Sequence, residues 1–279
     1  MTGHRPTGES SATPLSPPSR PGVRPVTDGD ERATAVVDLT EEVAWIEDDQ
    51  RVLFVRCPRG RVRSALTELV VAVWQAFPRR ALRLLRRPIH VQRAYDPFER
   101  EVVRVGAKRV QVDGDGGLPA AVCMVDLRPA ADAARRLGIV GRPTLAYAET
   151  GSEDVPGLHR RMEAGARREG QRSRQDRLVA ATLWSADGRL LAWARNRNGR
   201  VRVRHAELTL VQAWCDRYGH LPHGSRIDVS LEPCRMCAAA ILQAWDEPEG
   251  GRVRFEFHDA GPWSRGTALQ RSGIAALMK

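Results

Sequence analysis

Lysine is almost missing from this 279-residue chain: of its 44 basic residues only Lys108 and Lys279 are lysines. The net charge of +10 is therefore arginine charge. A surplus of that size points to an anionic partner. An arginine bias this complete also follows from genomic base composition, so the positions of the arginines matter more than their total. Long apolar runs are missing too. None approaches the ~18 residues of a membrane span, so no membrane helix is expected. The first thirty residues lack the apolar core of a signal peptide, and export by that route is not expected. Cysteine is scarce, with five residues at Cys57, Cys123, Cys215, Cys234 and Cys237. An odd, scattered set suits a reducing cytoplasm better than a disulfide scaffold. No internal repeat is present.

What remains divides unevenly. Residues 1–33 hold Pro, Ser, Thr, Gly and Arg with almost no bulky apolar side chains, a composition that favours disorder. Residues 34–150 read as a smaller N-terminal α/β domain. Val52-Leu53-Phe54-Val55 is a short strand, and Leu66, Leu69, Val70, Val73, Trp74 and Phe77 share one helix face. Ala121 to Leu127 reads as a further strand. Pro129 then opens a helix where a missing N–H costs nothing, and Gly138 closes it. Residues 151–177 read as a polar linker followed by a basic helix. Residues 178–279 alternate differently: strands at Leu178–Trp184 and Arg189–Ala194 flank Asp187-Gly188, a hairpin signal. A helix over Ala206–Tyr218, a strand over Ile227–Leu231, a helix over Cys234–Trp245 and a strand over Arg252–Phe257 follow. This order predicts a mixed sheet covered by helices.

The chemistry concentrates in this last part. His205-Ala206-Glu207 opens one predicted helix, and Pro233-Cys234-Arg235-Met236-Cys237 opens the next. Cys234 and Cys237 are one helical turn apart, so both sulfurs lie on one face and can grip a single ion. A helix N-terminus favours thiolates there. Three ligands, His205, Cys234 and Cys237, suit Zn2+ with a fourth position left for water, and Glu207 beside them can move protons. The alternative is a structural zinc knot completed by His220 or His223, which sit in a Gly/Pro loop expected to be exposed.

This H-x-E…P-C-x-x-C arrangement resembles the zinc nucleobase deaminases of the cytidine deaminase-like superfamily. Ser230-Leu231-Glu232-Pro233-Cys234-Arg235-Met236-Cys237 is most similar to the bacterial tRNA adenosine deaminases, with wording shared by guanine deaminases. The resemblance implies zinc ligands at His205, Cys234 and Cys237 and a proton shuttle at Glu207. It further implies a substrate contact from the Ala206 backbone N–H and another from Asn196. The tail after the last predicted strand is short, so the family's fifth strand and closing helix are expected to be reduced or absent. That shortening and the added N-terminal domain leave tRNA editing open while keeping the zinc hydrolysis. Within the N-terminal part, Val125 to Leu145 resembles the second half of a thioredoxin fold, with Pro143 as a candidate cis-proline. Gly60 stands where the redox motif needs a second thiol after Cys57, so dithiol exchange is not expected.

Arginines crowd the approach to His205 at Arg195, Arg197, Arg200, Arg202 and Arg204, without an intervening acid. An extended segment would send Arg202 and Arg204 to one side, and with Arg197 they are candidate phosphate contacts. A strand edge guarded by arginines is the plainer alternative. A second cluster, Arg79, Arg80, Arg83, Arg86, Arg87 and Arg93, either grips a nucleic-acid backbone or coats a helix. Trp263 reads as an aromatic packed on the core, with base stacking as the alternative. The expected activity is zinc-dependent hydrolytic deamination of adenine or cytosine within RNA, tRNA included, or DNA. The alternatives are deamination of a free nucleoside, base or nucleotide, and a non-catalytic nucleic-acid-binding module with structural zinc. The family habit also points to a homodimer.

Overall fold

Strand β1 (Glu41–Asp48) doubles back into β2 (Arg51–Pro58) through Asp49, whose φ of 56° lies in the left-handed region that Asp tolerates. The structure is a computed structural model that describes residues 41–49, 51–107, 109–113, 118–119, 123–136, 140–141, 154–168, 178–196 and 203–278. β3 (Pro88–Val91) pairs antiparallel with β1, while β4 (Arg109–Val112) and β5 (Cys123–Asp126) add parallel partners at the two edges. The resulting order is β4-β3-β1-β2-β5.

Helix α1 (Ala65–Ala76) starts at a reciprocal cap. Ser64 Oγ accepts from the Thr67 N–H at 3.3 Å, and Thr67 Oγ1 accepts from the Ser64 N–H at 3.0 Å. A short helix α2 (Ala81–Leu84) follows. Helix α3 (Pro97–Gly106) repeats the reciprocal cap with Asp96 and Glu99 and begins on proline. Helix α4 (Arg128–Arg136) follows β5, with Pro129 in its first turn as its sequence predicts. Half of the second arginine cluster is spent on the fold. Arg80 and Arg87 reach the buried Asp48, and Arg93 bonds Glu42 and Glu99. Arg79, Arg83 and Arg86 are exposed.

The segment likened to thioredoxin does not return to this sheet. β6 (Val140–Gly141) pairs antiparallel with β8 (Leu190–Arg195) of a second sheet, and Pro143 lies outside the described residues. That sheet runs β11-β10-β9-β7-β8-β6. It is built from β7 (Ala180–Trp184), β8 (Leu190–Arg195), β9 (Arg226–Leu231), β10 (Arg252–Phe257) and β11 (Ala275–Leu277). Helix α5 (Val155–Arg168) lies within the span read as a polar linker followed by a basic helix, and starts near its beginning. It packs on one face of the sheet through Val155, Leu158 and Met162, against Ala180, Trp184 and Leu190. Helices α6 (Ala206–Tyr218) and α7 (Arg235–Ala244) take the other face, where Ala181, Leu183, Ile227 and Val229 point. A closing helix, α8 (Ala268–Ser272), leads into β11, which pairs parallel with β10. The fifth strand and closing helix expected to be reduced or absent are thus both present in short form.

Helix α7 buries seven of its ten residues, so most of its surface must be covered. The sheet covers one side and α3 covers the other, and residues from both sheets join a single core. Asp38–Lys279 forms one compact unit. No helix among the described residues is long and apolar enough to cross a membrane.

On the α5 face, the Asp228 carboxylate is fully buried between Arg226 Nε at 2.9 Å and Arg254 Nε at 2.8 Å. The hydrogen bond to Asp228 raises the Arg254 pKa above its ordinary value. Asp228→Ala would strand two guanidiniums, that of Arg226 lying over the Trp184 ring. Loss of a partner from a fully buried pair costs about 3–5 kcal/mol, and partial exposure of both arginines lowers the expected cost here to about 2–4 kcal/mol. The denaturation midpoint should fall accordingly, with an unchanged m-value.

Candidate metal centre and substrate cavity

Two helix N-termini converge on one point. His205 is the N-cap of α6, with extended backbone (φ −73°, ψ 155°), and its side chain makes no cap hydrogen bond. Cys234 is the N-cap of α7 in nearly the same conformation (φ −69°, ψ 169°), and Cys237 stands in the first turn. Pro233 fixes the chain entering that cap. His205 Nδ1 lies 3.5 Å from the sulfurs of both Cys234 and Cys237. All three donor atoms fall within 4.8 Å of one another, a cluster that can hold a metal ion.

Glu207 is not part of that cluster. It is buried in the first turn of α6 and lines the same cavity as His205 and Cys234. Burial pushes its carboxyl up to about 7, against the pull of His205. Burial also holds the Cys237 thiol well above the ordinary range, and a hydrogen bond from it holds Cys234 well below. Cys215, near the C-terminal end of α6, is pushed up to about 12 by burial.

The cavity has a volume of about 300 Å³ and gathers residues from six segments, that of His205 and Glu207 among them. Val179 and Asn196 come from the ends of β7 and β8, and Leu231 and Glu232 from the end of β9. Asp259, Gly261, Pro262 and Trp263 form the loop after β10, and Val105 arrives from α3. Glu232 knits the loop in place, accepting from Gln270 Nε2 at 2.7 Å and the Asp259 N–H at 3.2 Å. Asp259 in turn accepts from the Gly261 N–H and the Ser264 hydroxyl. Trp263 is 48% exposed at the rim, so it is not the core aromatic its sequence suggests.

The structure therefore brings His205, Glu207, Cys234, Cys237 and Asn196 together. Ala206 is fully buried at the start of α6, where a helix leaves backbone N–H groups without intrahelical partners. Arg204 is placed elsewhere. It is buried, with its guanidinium 3.3 Å from Gln212 Oε1, and is not among the residues lining the cavity. Arg195 is also buried, while Arg197, Arg200 and Arg202 lie outside the described residues. His220 and His223 face Asp246 and Glu247 at the surface and do not join the metal cluster. The reading of the sequence missed Glu232, Asp259 and Val105. Glu232 had a signal, since it abuts Pro233-Cys234. Val105 had none, because nothing local ties α3 to a site about a hundred residues away.

The family model for Bd3614-like deaminases matches residues 170–278. This part of the chain has the cytidine deaminase-superfamily fold, related to tRNA adenosine deaminases. Within it, the chain is 35% identical over 100 residues to a tRNA-specific adenosine deaminase of Agrobacterium fabrum (strain C58 / ATCC 33970), covering 32% of this chain and 63% of that relative. Among solved structures, a tRNA:A34 deaminase studied for A-to-I editing is 34% identical, with a TM-score of 0.26 over 33% of this chain and 62% of its own. The guanine deaminase of Nitrosomonas europaea is 20% identical, with a TM-score of 0.33 over 50% of this chain and 79% of its own. The match excludes β1 to β5; among the described residues, the deaminase-superfamily segment carries all of the metal-binding cluster, and the residues before it supply only Val105 to the cavity.

Proposed function

We propose that this protein is a zinc-dependent hydrolytic deaminase of a nucleobase presented as a free base, nucleoside or nucleotide. One observation carries the reading: a His-Cys-Cys donor set borders, through His205 and Cys234, the same cavity that a buried glutamate outside that set lines. The donor set fits zinc. Tetrahedral zinc with ordinary Zn–N and Zn–S bonds needs N···S edges of about 3.6 Å, and the two edges here are 3.5 Å. His205, Cys234 and Cys237 would hold the ion. Zinc bound there supplies the acidity that makes water a nucleophile near neutral pH.

The protein residues do the rest. Glu207 takes a proton from the attacking water and delivers it to the ring nitrogen next to the carbon bearing the amine. A second proton passes through the same carboxylate to the departing nitrogen. Water and the ring amine thereby become a ring carbonyl and ammonia. Asn196 and the Ala206 N–H orient the substrate, in keeping with the family resemblance. Val179, Leu231 and Pro262 offer apolar walls that limit water, and Trp263 offers a stacking face at the rim.

The cavity favours a small substrate. Its volume is at the lower end for ligand pockets, and among its described lining residues the charged side chains besides His205 and Glu207 are the carboxylates Glu232 and Asp259 rather than arginines. A second reading, a base within RNA or DNA, is supported by the likeness to a tRNA-specific adenosine deaminase and by the +10 charge. Zinc-loaded full-length protein should be incubated with free bases, nucleosides, nucleotides and pooled oligonucleotides, and ammonia measured at 50 and 200 mM salt. Turnover of a small substrate with a KM that barely responds to salt is expected. Turnover confined to oligonucleotides and falling steeply with salt would establish the second reading instead. No turnover by fully loaded protein would remove both.

A further inference from the structure

The geometry points to Val105 as a specificity-determining residue: the N-terminal domain supplies one wall of the substrate cavity. This inference rests on the nucleobase reading of the cavity. Helix α3 presents Phe98, Val102 and Val105 at helical spacing, and the first two are fully buried in the shared core. Val105, nearest the helix C-terminus, is the member of this stripe that emerges into the cavity.

The placement has a mechanical basis. Gln243 Nε2 donates to Asp96 Oδ2 at 2.9 Å, which ties the end of α7 to the start of α3. Counted from that tie, Cys234 lies nine positions back along α7 and Val105 lies nine positions forward along α3. At 1.5 Å per residue each stretch covers about 13 Å. The helices run antiparallel, so Val105 arrives at the level of the cysteine cap. Further ties resist sliding. Arg61 donates to the Trp245 carbonyl at 2.8 Å and pairs with Asp246. Gln212 Nε2 on α6 donates to the Val62 carbonyl at 3.0 Å. Arg93 holds Glu99, and Glu99 caps α3. A β-branched side chain on so firmly registered a helix makes a stiff wall.

The test compares paired substrates of different size: adenine with adenosine, guanine with guanosine, cytosine with cytidine. Val105→Phe should lower kcat/KM for the larger member of each accepted pair by about 10–100-fold, mostly through KM. Val105→Ala should shift the ratio toward the larger member. Zinc content and thermal midpoint should stay near wild type in both variants. Unchanged ratios in both variants, with an active wild type, would overturn the wall while leaving the deaminase reading intact. A second measurement needs no turnover: adenine, guanine and cytosine are titrated into zinc-loaded protein carrying labelled valine methyls. Shifts at Val105 on binding support the inference even if no ammonia is released, which would fault the activity alone. Binding without a shift at Val105, or no binding of any base, overturns it.

Discussion

Glu207→Gln should lower ammonia release by about 10²–10⁴-fold while leaving zinc content at the wild-type level. The amide keeps the volume and the polar surface of the carboxyl but cannot accept and return a proton. The donor cluster consists of His205, Cys234 and Cys237, so the substitution removes no ligand. Zinc analysis beside single-turnover ammonia release separates these effects. Wild-type turnover in the variant would take the proton shuttle away from Glu207, and lost zinc would make Glu207 a ligand.

The same variant has a thermodynamic signature in metal-free protein. The folded-state pKa of Glu207, about 7, lies above its ordinary value of 4.5. A raised carboxyl is most compatible with the fold when protonated, so its contribution is complete below pH 4.5 and is lost as pH rises through 7. The loss for metal-free wild type is about 3 kcal/mol across that window. Glu207→Gln cannot ionise and should not show it. Its denaturation midpoint should therefore match wild type at pH 4.5 and exceed it at pH 8.

Cys237→Ser should abolish zinc retention and activity together. The substitution replaces a thiolate ligand fixed in the first turn of α7 by a hydroxyl that does not ionise near neutral pH. Zinc per chain after dialysis should drop from about one to near zero. The ligand-linked stabilisation, about 4 kcal/mol at a thousandfold excess over Kd, should vanish from the zinc-dependent shift in midpoint. His223→Ala serves as the control, because that ring is exposed beside Glu247, and it should keep the metal. Uptake of zinc should release protons, since burial keeps the Cys237 thiol protonated until the ion arrives. Affinity should accordingly fall as pH drops. Full zinc retention by Cys237→Ser would remove that sulfur from the site.

Much of the deaminase-superfamily segment was legible because its signals are local. The Asp187-Gly188 turn, the short buried run of β7 and the spacing of Cys234 and Cys237 each specify their own geometry. The N-terminal part was less legible. Its strands were readable, but their order depends on long-range pairing, and β6 leaves for the second sheet on the strength of two residues. Charge was the least reliable guide. Arg204 looks from its neighbours like a phosphate contact, yet it is buried beside Gln212. Arg80, Arg87 and Arg93 are held by carboxylates distant in sequence, which no local window reveals.

The sequence by itself determined the donor set, the carboxylate beside it and the helix ends that carry them, because helix starts and one-turn spacings are short-range properties of the chain. Only the tertiary structure decided what surrounds that chemistry: the loop of Asp259 and Trp263, the burial that lifts Glu207, and the arrival of Val105. Those features come from helix packing and side-chain ties between residues far apart in the chain, and packing of that kind leaves no periodic trace in the order of amino acids.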